Sequence, residues 1–447
     1  MAKKPAQGKP TRSIIRAGAG PIFLTGATAT LLVLTHWYFS QPWPGISKTS
    51  PRNKISASDG VTTAYCSATP AADDLRHEPK NTTFYDDPRL SYSIEEPMRG
   101  WDEKRAEWLK NHLSYAGSGR ERVLVVTGSQ PSPCPNPSGD YLLLRLFKNK
   151  VDYCRLHGYD IFYGNSLMHP KMRSYWAKLP LVRAAMLAHP EAEWIWWVDS
   201  DAVFTDMDFK VPLRRYKDHN FIVHGWPHLV YEKKSWQGLN TGVFLIRNCQ
   251  WSMDFLQLWA SMGPHSPEYN KFAELQQSVF KADRFLTIDD QSALIYLLIK
   301  DRENGTNKAF IEGEYYLQGY WKDVVGTVDE AKESYGGLEK EVRKLRRRHA
   351  EKTSVEYTAL REEFLKGGGG RRRRRPFVTH FTGCKQCDGA RDPAFNGDTC
   401  SVLMEKALNF ADNQVLRRYG FVRPDLMNSS RSLVVPFDFP AEEGVEF

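Results

Sequence analysis

Three short apolar runs, separated by two amphipathic stretches, set the architecture of the middle of the chain. The run VLVVT at 123–127 is β-branched and apolar and leads into Gly128-Ser129, the pattern of a buried strand entering a loop. The stretch YLLLRLFKNKVDYCRLH at 141–157 carries apolar residues at helical spacing and stops at Gly158. DIFY at 160–163 reads as a second strand, WAKLPLVRAAMLAH at 176–189 as a second helix with a start or kink near Pro180, and WIWWV at 194–198 as a third strand. Strand, helix, strand, helix, strand implies parallel order and a doubly wound α/β sheet, whose ligands bind at the carboxyl ends of the strands. Further on, FIVH at 221–224 and GVFLI at 242–246 read as neighbouring strands, 291–299 as a helix, and Phe377-Val378-Thr379 as a short strand.

Upstream the pattern changes. No charged residue occurs between Arg16 and Lys48, and the run at 21–39 (PIFLTGATATLLVLTHWYF) rises roughly 28 Å as a helix, enough to span a bilayer core. Basic residues precede it and Trp37, Tyr38 and Trp43 follow it, so it reads as a single transmembrane signal anchor with a cytosolic tail at 1–20. The long basic lead and the bulky exit argue against a cleaved signal peptide. Residues 40–119 are rich in Pro, Ser, Thr and charge and read as a stem, with a short helix in WDEKRAEWLKNH near its end. The catalytic domain is expected at 120–447, beyond the membrane, in the Golgi lumen. Sequons at Asn81, Asn304 and Asn428 fall on that lumenal side as N-glycosylation acceptors.

Charge adds one exclusion. The net +8 is carried by Lys3, Lys4, Lys9, Arg12 and Arg16 and by Arg371 to Arg375; the remainder has 51 basic and 53 acidic residues. A folded body of −2 offers no footprint for nucleic acid. Seven Cys leave at least one thiol unpaired within the chain.

The chemistry concentrates at Asp199-Ser200-Asp201, directly after WIWWV. Two carboxylates two residues apart at a strand end can reach one divalent ion, which in turn bridges two phosphates. A second triplet, Asp206-Met207-Asp208, follows no apolar run and reads as a solvated turn whose substitution would be silent. Asp289-Asp290-Gln291 opens a helix, so one of the two carboxylates is expected as its N-cap. By spacing alone, Cys384, Cys387 and Cys400 with His380 form a zinc-like set; a lumenal setting favours a disulfide.

The blocks WIWWVDSDAVFTDMDF, HGWPHLVYEKKSWQGLNTGVFLIRNCQWSMDFLQLWASMGP, DDQSALIYLL, FVTHFTGCKQC and ALNFADNQVLRRYGF together resemble the plant-type glycosyltransferase family 34, from about Trp101 to Asp438. That family contains galactomannan galactosyltransferases and xyloglucan xylosyltransferases. The resemblance implies a GT-A type, Rossmann-like, mostly parallel sheet, Mn²⁺ dependence, and retention of configuration at the transferred sugar. It implies metal ligation by Asp199, Asp201 and His380. Donor contacts would come from Thr127, Gly128, Ser129, Lys178, Asp199, Ser200, Gly383 and Lys385. Asp289, Asp290 and Gln291 would sit at the reacting centre, without a covalent nucleophile. Gly225, Trp226, Asn240 and Thr241 are the acceptor contacts; core packing is the competing role for Trp226. The partners implied are a UDP-sugar, a β-1,4-linked polysaccharide, the membrane, and other Golgi glycosyltransferases in an oligomer.

Three features resemble the galactosyl branch: the charged helical insertion at 327–375, Thr382 in THFTGC, and the tail SLVVPFDFP. They imply transfer of α-galactose from UDP-galactose to O6 of mannose in a β-1,4-mannan. The alternative is transfer of xylose from UDP-xylose to a β-1,4-glucan; a further one is a non-catalytic scaffold subunit. The glycines at 367–370 and the five Arg after them read as a solvated loop.

Overall fold

A computed structural model describes residues 82–116, 122–280, 288–301, 305–346, 353–367, 374–385, 387, 397–427 and 434–437. The 21–39 run and the sequons at Asn81, Asn304 and Asn428 lie outside these residues. No described helix is long and apolar enough to cross a membrane.

Strands β1 (Val123–Gly128), β2 (Asp160–Gly164) and β3 (Trp194–Val198) alternate with helices α2 (Pro137–His157) and α3 (Lys178–Ala188). Helix α2 starts at an Asn136 cap with Pro137 behind it and ends at Gly158 in the left-handed region. The main sheet has the order β2-β1-β3-β6-β5-β7, completed by β5 (Phe221–Gly225), β6 (Leu239–Arg247) and β7 (Ala309–Glu312). Pairs β1–β2, β1–β3 and β5–β7 are parallel, and β6 runs against both neighbours. The expected mostly parallel α/β sheet is therefore present, with one reversed strand at its centre.

The sequence WIWWV is apolar throughout because both faces of β3 are covered. Ile195 and Trp197 enter one core with α3 and helices α4 (Gln250–Ala260) and α5 (Asp290–Lys300). Trp194, Trp196 and Val198 enter the other, with α2 and helix α8 (Gly397–Leu416), which continues the chain after α6 (Val328–Glu341) and α7 (Val355–Gly367). A second sheet, β4-β9-β8, lies in that core and joins β4 (Ala202–Phe204), β8 (Gly319–Tyr320) and β9 (Val378–His380).

Three expectations need correction. Residues read as stem pack on the body: helix α1 (Trp101–Asn111) opens with Trp101, fully buried, whose indole N–H donates to Asn248 at 2.7 Å. Ile94 and Met98 are buried too, in the same compact unit as the other described residues. Apolar residues spaced irregularly among Pro, Ser and charge left no period to read.

Asp206 and Asp208, read as a solvated turn, are 3% and 5% exposed. Asp206 follows β4, an apolar run of only three residues, and its carboxylate is 3.3 Å from the guanidinium of Arg361. The arginine run is not wholly solvated either: the Arg375 side chain is shielded beside Asp208 at 2.9 Å, and Arg374 pairs with Glu362 at 2.7 Å.

Candidate functional site

Short strands deliver the site. β3 ends at Val198, and Asp199 follows with its backbone N–H on the Gly242 carbonyl at 2.7 Å. β4 and β9 pair antiparallel with Ala202 opposite His380, and the Phe381 N–H donates to the Asp201 carbonyl at 3.1 Å. That register brings together the three side chains expected as ligands. His380 Nε2 lies 3.0 Å from Asp201 Oδ1 and 3.6 Å from Asp199 Oδ2, and one ligand atom from each residue falls within 4.8 Å of the others.

Two carboxylates and an imidazole form a fitting set for a divalent cation. The surroundings are shaped for it. A Cβ on Gly242 would stand 2.2 Å from His380 Cε1 and 2.8 Å from Asp199 Oδ2, so only glycine fits beneath the cluster. The Thr382 hydroxyl is 3.2 Å from His380 Nδ1, which fixes the ring with Nε2 toward Asp201. Burial alone would lower the His380 pKa, but Asp201 and Asp199 outweigh it and raise it. Burial likewise opposes the charge on Asp201, and His380 pulls its pKa below the ordinary carboxylate value.

Lys178 links this cluster to the second carboxylate group. Its buried ammonium lies 3.0 Å from Asp290 and 3.6 Å from Asp199, and it donates to the Thr241 carbonyl at 3.2 Å. Lys178 is thus engaged with carboxylates, whereas a nucleotide contact had been expected for it. Asp289 is the cap of α5: its carboxylate accepts from the Ser292 N–H at 2.8 Å, and the Ser292 hydroxyl accepts from the Asp289 N–H at 3.0 Å. Asp290 is 2% exposed and faces Lys178, and burial raises its pKa despite that partner. The Gln291 amide donates to the Trp236 carbonyl at 2.9 Å.

The other expected contacts divide. Gly383, at φ +86°, and exposed Lys385 follow His380 in a loop tied by two disulfides, Cys384–Cys400 and Cys134–Cys387. With those three cysteines bridged, a zinc set with His380 is ruled out. Gly128 is required by a strand contact, since a Cβ there would meet the Gly164 carbonyl at 2.2 Å. Thr127 is buried, and Ser129 accepts from the Tyr163 hydroxyl at 2.7 Å. The Ser200 carbonyl accepts from Lys150 at 3.0 Å. Asn240 accepts from the Gly242 N–H at 2.7 Å, a local turn, and Thr241 is buried. Gly225 lets β5 approach Gly238 and Leu239, and Trp226 after it is 41% exposed, so it does not belong to the core.

Sequence reasoning missed Lys150, Trp197 and Trp236, and named Gly242 only as a candidate sugar contact. Lys150 is a fully buried lysine on α2 that also donates to the Ala202 carbonyl at 2.7 Å; burial pushes its pKa down to about 7, against Asp201 and Asp199. It braces the loop of Asp199 and Asp201 through these carbonyls. The Trp197 indole donates to Asp199 at 2.6 Å, so one WIWWV tryptophan also orients a ligand. None of these had a signal beyond ordinary helix or strand composition.

Two outcomes follow. Gly242→Ala should lower metal-dependent activity by about 10²-fold in a folded protein, because its methyl group would displace both His380 and Asp199; circular dichroism beside kinetics checks this. Asp289 is pushed up to about 6 by burial and by Asp290. The folded state then keeps a proton that the unfolded chain releases near pH 4, so stability falls as pH rises from about 4 to about 6. Asn also caps helices but does not ionise. The melting temperature of Asp289→Asn minus that of the unaltered protein should climb across that window and level off above it; a difference independent of pH would contradict the assignment.

Comparison with known proteins bears on this site. The family model described as the galactosyl transferase GMA12/MNN10 family matches residues 119–391. Glycosyltransferase 6 of Arabidopsis thaliana is 55% identical over 438 residues, covering 97% of this chain and 98% of that protein. Galactomannan galactosyltransferase 1 of Cyamopsis tetragonoloba is 53% identical over 427 residues, covering 94% and 96%. Among solved structures, the galactosyltransferase LgtC with donor and acceptor sugar analogs is 10% identical, covers 63% of this chain and 95% of that one, and has a TM-score of 0.28. The chain is a glycosyltransferase and belongs to the galactosyl transferase GMA12/MNN10 family.

Proposed function

We propose that this enzyme transfers galactose from UDP-galactose to O6 of mannosyl residues in a β-1,4-mannan, with retention of the anomeric configuration. The observation that carries the choice of sugar is the 53% identity to a galactomannan galactosyltransferase across 94% of the chain. Thr382, one of the features of the galactosyl branch, stands against His380 and supports the same choice. The proposal includes a GT-A type catalytic body in the Golgi lumen, held by the 21–39 anchor; the two disulfides support an oxidising compartment.

Asp199, Asp201 and His380 would hold a divalent ion, for which we propose Mn²⁺. Bound there, it supplies a Lewis acid that neutralises the departing diphosphate, a contribution of several kcal/mol. Lys385, beside the left-handed Gly383, offers a further positive charge to the phosphates. Asp290 is held by Lys178 at the mouth of α5, and with Gln291 it lines the region where the sugar carbon gains positive charge. No side chain is assigned as a covalent nucleophile. The acceptor hydroxyl attacks on the face the diphosphate leaves, and a diphosphate oxygen takes its proton. Exposed Trp226 offers a ring face to an extended sugar chain.

Purified protein should transfer galactose from UDP-galactose to manno-oligosaccharides, lose turnover in excess EDTA and regain it with Mn²⁺. Asp201→Ala should be inactive yet folded. Linkage analysis should find α-1,6-galactose. Preference for UDP-xylose with cello-oligosaccharides, and no transfer to manno-oligosaccharides, would replace this reading with xyloglucan synthesis.

A further inference from the structure

The second acidic triplet, the insertion helices and the arginine run take no part in the chemistry above, yet they meet in one place. Asp208 accepts from Arg375 at 2.9 Å and from Arg418, and lies 3.3 Å from the Arg361 guanidinium. Asp206 lies 3.3 Å from Arg361 and 3.6 Å from Arg375. Arg375 also donates to Gln414 at 2.8 Å and lies 3.8 Å over the Tyr335 ring. Tyr335 comes from α6 and Arg361 from α7, the two helices of the insertion; Gln414 comes from the end of α8 and Arg418 from the 3-10 turn that follows it. Two buried carboxylates and three guanidiniums thus tie four separate segments together.

Burying so many charges is a poor way to add stability, because desolvation offsets most of the attraction; the best-attested role of a buried ionic group is to fix register. Register is the weak point of this fold. β4 and β9 are three residues each, and a slip of one residue would turn His380 to the opposite face. Asp206 lies two residues beyond β4, and Arg375 lies three before β9. Between them, the Thr205 and Asp206 N–H groups donate to the Phe377 carbonyl at 2.8 and 3.1 Å, and the Thr205 and Thr379 hydroxyls are 3.0 Å apart. The ladder therefore carries Asp201 and His380 at one end and the ionic cluster at the other.

We infer that Asp206, Asp208, Arg361 and Arg375 form a positioning clamp that sets metal affinity by locking β9 against β4. The inference rests on the metal reading of Asp199, Asp201 and His380. Arg375 and Arg361 touch no ligand atom and act through the backbone of the two strands. A clamp of this kind preorganises the ligands, so its loss should weaken binding of the ion more than it slows turnover once the ion is bound.

The test measures Mn²⁺ binding directly, by electron paramagnetic resonance of free Mn²⁺ with UDP present, on the whole protein. Arg375→Gln should weaken Mn²⁺ binding by about 10-fold or more, the range for groups that orient metal ligands. Turnover at saturating Mn²⁺ should fall much less. Arg375→Lys keeps the charge and should lie between the two; it carries the test where Arg375→Gln fails to fold. Ile94→Ala, in the core beside α1 and away from the clamp, should lower the melting temperature with Mn²⁺ affinity unchanged. Unaltered Mn²⁺ affinity in folded Arg375 variants overturns the clamp, and so does an equal loss in Ile94→Ala. Failure of the unaltered protein to bind Mn²⁺ would remove the metal reading and the clamp with it, whereas a different donor sugar would leave both intact.

Discussion

A ladder of three residue pairs between β4 and β9 is the constraint on which the site depends. Asp201 and His380 are 179 residues apart in the chain, and this pairing brings the imidazole to the carboxylate. Asp199 and Asp201 follow from the main sheet, because β3 is buried on both faces and ends there, and Lys150 and Trp197 brace the loop that carries them. The third ligand has no such support. It is fixed by register, by the Thr382 hydroxyl on its other nitrogen, and by a disulfide four residues further on. A glycine at 242 leaves the space that Asp199 and His380 occupy.

Electrostatics divides the cleft into two parts joined by one cation. Lys178 sits between Asp199 on the metal side and Asp290 on the side of α5. Lys178 holds the pKa of buried Asp290 down against that burial, and without it the carboxyl would be pushed higher still. That ion pair places a carboxylate beside the region where the proposed transfer would develop positive charge on the sugar. Asp289 is spent differently. It caps the helix and keeps Asp290 aimed, a division of labour between adjacent carboxylates.

Much of this was legible in the sequence because the signals were local. VLVVT, DIFY and WIWWV are runs of one kind bounded by glycine or charge, and each became the strand it resembled. Asp199 and Asp201 were legible because a buried strand points at them. His380 was not legible from spacing; it entered through resemblance, and its partner lies across a long loop. The misreadings share one cause. Asp206, Asp208 and Arg375 are charged, and charge in sequence reads as surface unless the partner is visible. Their partners are far away in sequence: Arg361 is 155 residues from Asp206. Lys150 was hidden for the same reason, since its acceptors are backbone carbonyls that no residue type announces. The 84–101 segment was read as stem because its packing contacts are single residues, such as Ile94 and Trp101, with no repeating period.

Anomalous diffraction at the manganese edge, from crystals grown with Mn²⁺ and UDP, tests the central claim most directly. A single strong peak should lie within coordination distance of Asp199, Asp201 and His380 Nε2, with the UDP diphosphate on its open side. A peak at Asp206 and Asp208, or a diphosphate bound with no metal at the first triplet, would contradict the account.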